Sequence, residues 1–305
     1  VYKRQMAMTV KAVVLGLMAT ASVALLPAGA QAAKLDDVLA RGTLVVGTGS
    51  TNAPWHFKDA SDTLQGFDVD MAKIVAKALF GDAEKVEFVN QSSDARIPNI
   101  TTGKVDMTCQ FMTVTGERAQ QVNFTIPYYR EGVGLMLQES GQYADYDALK
   151  AAGSSVTIAV LQNVYAEELV HKALPEATVD QYESQDLLYQ ALQSGRADAA
   201  ATDQSSIAWY VTQNPGQYKD AGYGWSPQTY ACAVAKGDQD WLNFVNTALH
   251  EAMTGVEFDT YAASFKMWFG KDLPPPAIGF PVELKKPPNP AVRPSSPDRP
   301  DPTRL

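Results

Sequence analysis

The 305-residue chain is poor in the residues that do covalent and metal chemistry: it has two cysteines and three histidines. The histidines, His56, His171 and His250, show no metal-ligand spacing, so each reads as a core or surface residue and no metal is expected. There is no G-x-S-x-G, no Walker A loop and no GxGxxG after a strand, and no cofactor is expected. Positive charge is also scarce, with 25 lysines and arginines against 34 aspartates and glutamates, a net charge of −9. An acidic chain argues against nucleic acid or an anionic membrane surface as the main partner. No apolar run reaches the ~20 residues of a transmembrane helix. The longest, Ala12 to Leu26, is shorter and is followed by Pro27.

That run reads instead as the apolar core of a secretory signal, with Lys11 before it and Ala28-Gly29-Ala30 or Ala30-Gln31-Ala32 as the cleavage site. Residues 1–32 are therefore expected to be a cleaved signal peptide, and the absence of a following cysteine points to a free periplasmic protein rather than a lipoprotein. Val1 to Gln5, VYKRQ, is the translation of GTG-TAT-AAG-AGA-CAG, which reads as a transposon-end adapter, so the natural start is expected at Met6 or Met8. Removing residues 1–32 takes away Lys3, Arg4 and Lys11 and no acid, which moves the net charge from −9 to −12. At the other end, residues 274–305 hold 11 of the 18 prolines, a composition that predicts an extended, disordered tail.

Between these ends the pattern alternates strand and helix, which predicts an α/β fold with parallel strands. TLVVGTG (43–49) reads as a buried strand, FDVDMAKIVAKALF (67–80) as an amphipathic helix with Asp68 as its N-cap, KVEFV (85–89) and VDMTCQ (105–110) as further strands. The unit then recurs. SSDARIPNITTGKVDM (92–107) matches SQDLLYQALQSGRADA (184–199), with Asp94 and Asp186, Gly103 and Gly195, Lys104 and Arg196, and Asp106 and Asp198 in step. An offset this long suggests two similar lobes rather than a solenoid. Residues 33–137 and 229–273 are assigned to lobe 1 and 138–228 to lobe 2, with crossings at Leu135 to Glu139 and Trp225 to Thr229 forming a two-strand hinge. In such folds ligands bind at the C-terminal ends of the strands, here the cleft between lobes.

One short stretch, TGERAQQ, carries a puzzle: Arg118 falls in the first turn of a helix, where the positive end of the helix dipole disfavours a cation. Such an arginine needs a partner, either an acid of the chain such as Glu117 or a ligand. The segments GFDVDMAKIVAKAL, ARIPNITTGKVDM, TVTGERAQQVNFTIPYY, SGRADAAATD and YACAVAKGD, in that order, resemble the polar-amino-acid family of periplasmic substrate-binding proteins that serve ABC importers. The resemblance covers about Leu35 to Lys271. It implies a two-lobe, Venus-flytrap (type II) periplasmic-binding-protein fold, an L-amino acid as ligand, an ABC transporter permease as partner and a monomeric state.

The resemblance also implies roles for individual residues. Arg118 aligns with the arginine that grips the ligand's α-carboxylate, and Thr113 with a hydroxyl donor to the same group. Asp203 aligns with the acceptor for the α-ammonium; it is equally placed to cap the helix beginning QSSIAWY. Many relatives carry Gly-Thr-Thr where this chain has Asn163-Val164-Tyr165, so Tyr165 stands in place of a hydroxyl of the carboxylate clamp. Trp55 and Phe111 are candidate apolar walls of the pocket. Cys109 and Cys232 match a cysteine pair of the glutamate/aspartate branch, which implies a disulfide. That branch holds its side-chain carboxylate with cations at positions matching Gly49, Arg96 and Gln185, and only Arg96 is cationic here. Asn52, Ser93 and Gln185 offer neutral donors and acceptors, which suit an amide or hydroxyl side chain such as that of glutamine, with glutamate or aspartate second. Enzymes on the same fold, such as cyclohexadienyl-dehydratase-like proteins, need a carboxylic acid aimed into the cleft; Glu117 is the one glutamate in the matched pocket segments, so a receptor rather than an enzyme is expected.

Overall fold

A computed structural model describes residues 34–279 with the exception of Val164. The expected signal peptide and residues 280–305 of the proline-rich tail lie outside the described residues, and 274–279 carry no helix or strand.

Two mixed sheets organise the body. In the first the order is Val86–Asn90, Leu44–Thr48, Met107–Thr108, Ala233–Val234 and Asn123–Phe124. Its first three strands are parallel, and Ala233–Val234 runs antiparallel to both neighbours. In the second the parallel strands Thr178–Tyr182, Thr157–Leu161 and Ala199–Asp203 are followed by the antiparallel Tyr129–Gln138, which also pairs with Tyr218–Asp220 and Trp225–Tyr230.

The repeated motif does the same work in both sheets. Gly103 and Gly195 each end a helix at positive φ, 73° and 70°. Asp106 then accepts the Val45 amide at 2.8 Å, and Asp198 accepts the Thr157 amide at 2.8 Å. Each aspartate thereby satisfies an amide in the opening residues of the neighbouring strand, the second residue of Leu44–Thr48 and the first of Thr157–Leu161.

Strand pairing moves one lobe boundary. Residues 133–138 pair with Ala199–Asp203 and Tyr218–Asp220 of the second sheet, while Tyr129 packs against the lobe-1 core, so the chain crosses before the expected 135–139. The apolar run VGLML suited either lobe, and only its hydrogen-bonded partners decide. The return strand is likewise split: Trp225–Tyr230 belongs to the second sheet and Ala233–Val234 to the first.

Cys109 and Cys232 form the expected disulfide, Cα atoms 4.4 Å apart. The register Thr108↔Ala233 sets them side by side just beyond the paired residues.

The helix Phe67–Phe80 packs Phe67, Met71, Val75 and Ala76 into the lobe-1 core. Its N-cap is Gly66, and Asp68 is inside the first turn and fully buried, which corrects the expected capping role. Gly66 is required because a Cβ there would sit 2.3 Å from the Trp55 carbonyl oxygen, at φ 129°.

Candidate ligand-binding cleft

A cleft of about 660 Å³ lies between the lobes, walled by Ser93, Arg96, Phe111, Thr113 and Arg118 on one side and Leu161, Asn163, Tyr165, Thr202 and Asp203 on the other. A smaller recess of about 200 Å³ shares Ser93, Phe111 and Leu161 with it and adds Gly49, Asn52, His56, Gln110 and Gln185. Nine of the ten predicted ligand residues therefore line these two adjoining cavities. Arg118, Thr113, Asp203, Arg96, Phe111, Ser93 and Tyr165 border the cleft, and Asn52 and Gln185 border the recess.

Trp55 is the exception. It is fully buried and lines neither cavity. Its ring packs edge-on against Phe67, Tyr129 and Tyr230 at centroid distances of 5.9, 4.8 and 5.3 Å, and its Nε1 donates to Ser205 Oγ at 3.1 Å. A tryptophan beside a cis Ala53-Pro54 bond is thus core, not pocket wall.

Arg118 sits in a four-residue helix, Gly116–Ala119, capped by Thr115, whose Oγ1 accepts the Arg118 amide. The side chain folds back so that Nη1 donates to the Thr113 carbonyl at 3.0 Å, and it lies across the Tyr165 ring at 5.1 Å. Glu117 is not its partner; that carboxylate accepts the Tyr165 hydroxyl at 2.5 Å, joining the two lobes. Arg96 is 4 % exposed, donates to the carbonyls of Ser93 (2.7 Å) and Gln110 (3.1 Å), and faces the Phe111 ring at 5.6 Å. Neither guanidinium forms a salt bridge among the described residues. Burial, and then the Arg118 charge, pushes Arg96 down to about 9, and burial lowers Arg118. Two buried cations thus stand here without a salt-bridge partner among the described residues.

Asp203 ends the strand Ala199–Asp203 and precedes the helix Gln204–Gln213, yet its side chain makes no capping bond. It accepts instead the Tyr230 hydroxyl at 2.6 Å. Burial, and then the charge of Glu131, hold its carboxyl well above the usual range. Thr113 Oγ1 donates to Gln228 Oε1 at 2.8 Å. Glu168 also lines the cleft, which the motif segments did not include; it is exposed and pairs with Lys172 at 3.0 Å.

Sequence reasoning missed the layer behind the recess. Asp68 accepts from His56 Nδ1 (2.8 Å), the Phe111 amide (2.8 Å) and the Tyr128 hydroxyl. The Phe111 bond holds a residue at φ 33°, a conformation non-glycine residues rarely adopt. The only sequence signal was an aspartate beside a buried helix start, which reads equally well as a cap.

Residues 44–271 match the family of bacterial extracellular solute-binding proteins, family 3. The chain belongs to that family. It is 30% identical over 213 residues, 70% of this chain and 76% of the relative, to the ABC transporter glutamine-binding protein GlnH of Bacillus subtilis. It is 24% identical to the glutamate/aspartate import solute-binding protein of Salmonella typhimurium over 283 residues, 91% of this chain and 93% of the relative. A solved structure of an ancestral arginine-binding protein bound to glutamine superposes with a TM-score of 0.67 at 36% identity, covering 76% of this chain and 99% of that one. These relatives are binding proteins, not enzymes, and the two-lobe type II fold is theirs. The glutamate/aspartate branch is not singled out among them.

Proposed function

We propose that this solute-binding protein receives a neutral polar L-amino acid such as glutamine in the interlobe cleft and presents it, in the periplasm, to the permease of an ABC importer. The observation that carries the reading is the charge layout: two buried arginines on one wall and the acid Asp203 on the other, none of them in a salt bridge among the described residues. A zwitterion supplies both missing charges, its α-carboxylate to Arg118 and Thr113 and its α-ammonium to Asp203. Because both walls gain from the same molecule, ligand favours closure of the lobes, the differential affinity on which a population shift depends.

The side-chain end argues for a neutral ligand. Gly49 leaves no space for a cation, since a Cβ there would lie 2.6 Å from His56, and Gln185 is a neutral amide bound to Tyr189 and Thr202. Arg96 alone is a thin counter-charge for a second carboxylate leaving water. A thermal-shift screen of the twenty amino acids, followed by competition calorimetry, tests this. Glutamine is expected to rank first; tightest binding by glutamate or aspartate, lost in Arg96→Gln, overturns the neutral assignment.

A further inference from the structure

The recess has a polarity of its own, set by a residue no motif marks. His56 is 2 % exposed and stacks on Phe111 at 4.6 Å and 10°. Its Nδ1 faces Asp68 Oδ2, an oxygen that also accepts the Phe111 amide, while Tyr128 donates to the other oxygen. A carboxylate ringed by donors accepts, so the imidazole proton sits on Nδ1. Burial is the largest influence on the His56 ring and lowers its pKa, against the Asp68 hydrogen bond and charge, which raise it, and together with the Arg96 charge, so the neutral form is favoured. Nε2 is then a lone pair. It has no hydrogen-bond partner among the described residues, and its ring edge forms the recess wall against Gly49.

A second observation points to a ligand at the same place. Asn52 is 4 % exposed and lines the recess, and its Oδ1 is buried without a partner. A buried amide oxygen without a partner is costly unless a bound group satisfies it.

We infer that His56, locked by Asp68 as an acceptor, and Asn52 select the ligand's side chain for a carboxamide over the isosteric carboxylate. This rests on the amino-acid reading above. A carboxamide NH₂ donates to His56 Nε2 while the Asn52 amide meets its remaining polar atoms. A carboxylate brings only lone pairs toward Nε2. A cationic side chain is disfavoured because Arg96 lies against the same Phe111 ring.

Three measurements test it. Long-range ¹H–¹⁵N NMR of the wild-type protein, with His56 assigned by its loss in His56→Gln, is expected to show a protonated Nδ1 and an unprotonated Nε2; a proton on Nε2 overturns the inference. Calorimetry is expected to give glutamine at least about a hundredfold preference over glutamate, as sites built around a donor reject an analogue lacking it. In His56→Gln, whose amide can donate, that preference is expected to fall by about tenfold or more; an unchanged ratio overturns the inference. If His56→Gln does not fold, Asn52→Leu is expected to weaken glutamine by about tenfold, and full retention counts against the assignment. Equal binding of glutamate and glutamine by wild type defeats this inference alone, whereas binding of no amino acid defeats the proposed function.

Discussion

Tyr230 and Asp203 meet at 2.6 Å where the hinge reaches the cleft, hydroxyl to carboxylate. Tyr230 comes from the strand Trp225–Tyr230, antiparallel to Tyr129–Gln138, while Asp203 ends the central strand of the second lobe. The pair therefore ties the ligand's expected ammonium partner to one of the two strands that run between the lobes.

Ligand binding is expected to release protons in mildly acidic buffer. Burial and the Glu131 charge raise the Asp203 carboxyl, so the empty site holds a proton above the ordinary carboxylate range. An ammonium favours the ionised form, and affinity should therefore rise with pH through that window. Calorimetry in buffers of differing ionisation enthalpy measures the release, which Asp203→Asn should abolish; a buffer-independent enthalpy would count against Asp203 as the ammonium site.

The same shift has an opposite consequence for the empty protein. A carboxyl whose folded pKa lies above its unfolded one binds more protons when folded, so its contribution to stability falls as pH rises between the two values. Glu131 is raised as well, mainly by burial, and adds to the trend. Denaturant melts across the acidic range should show less of this loss in Asp203→Asn.

Arg118→Ala should weaken amino-acid binding by about 3 kcal/mol or more, since a desolvated charge pair loses one member. The apo protein should stay folded, because the side chain removed forms no salt bridge among the described residues and gives up one hydrogen bond, to the Thr113 carbonyl, and its contact with the Tyr165 ring. Titration calorimetry decides it, and affinity retained within about tenfold would remove Arg118 from the clamp.

Reducing the Cys109–Cys232 bond should lower stability by about 2–4 kcal/mol, as the bridge closes a segment of 123 residues. Mass spectrometry without reductant should find no alkylatable thiol in unfolded protein. Two free thiols would disprove the pairing.

Trp55 should behave as a core residue. Trp55→Ala is expected to cost about 3–5 kcal/mol of folding stability. Trp55→Phe, which keeps most of the packing and gives up the bond to Ser205, should bind ligand within about tenfold of wild type. A large affinity loss in a stable Trp55→Phe protein would return Trp55 to the ligand's surroundings.

Apolar periodicity and the repeated Ser-x-Asp…Gly-Lys/Arg-x-Asp unit were enough to specify strands, helices and two like lobes, because side-chain period and glycine placement are local properties. The arginine in a first helical turn announced a missing anion for the same reason, since the helix dipole acts over one turn. Which lobe owns Tyr129–Gln138 was decided only by tertiary structure, because an apolar strand fits any sheet until its hydrogen-bonded partners are known. Trp55 was assigned to the core by packing against Phe67, Tyr129 and Tyr230, residues up to 175 positions away. The network of Asp68, His56, Tyr128 and Phe111 had no local signature at all, because its members, spread from position 56 to 128, acquire their roles only as burial removes water and leaves each polar atom to find a partner in the fold.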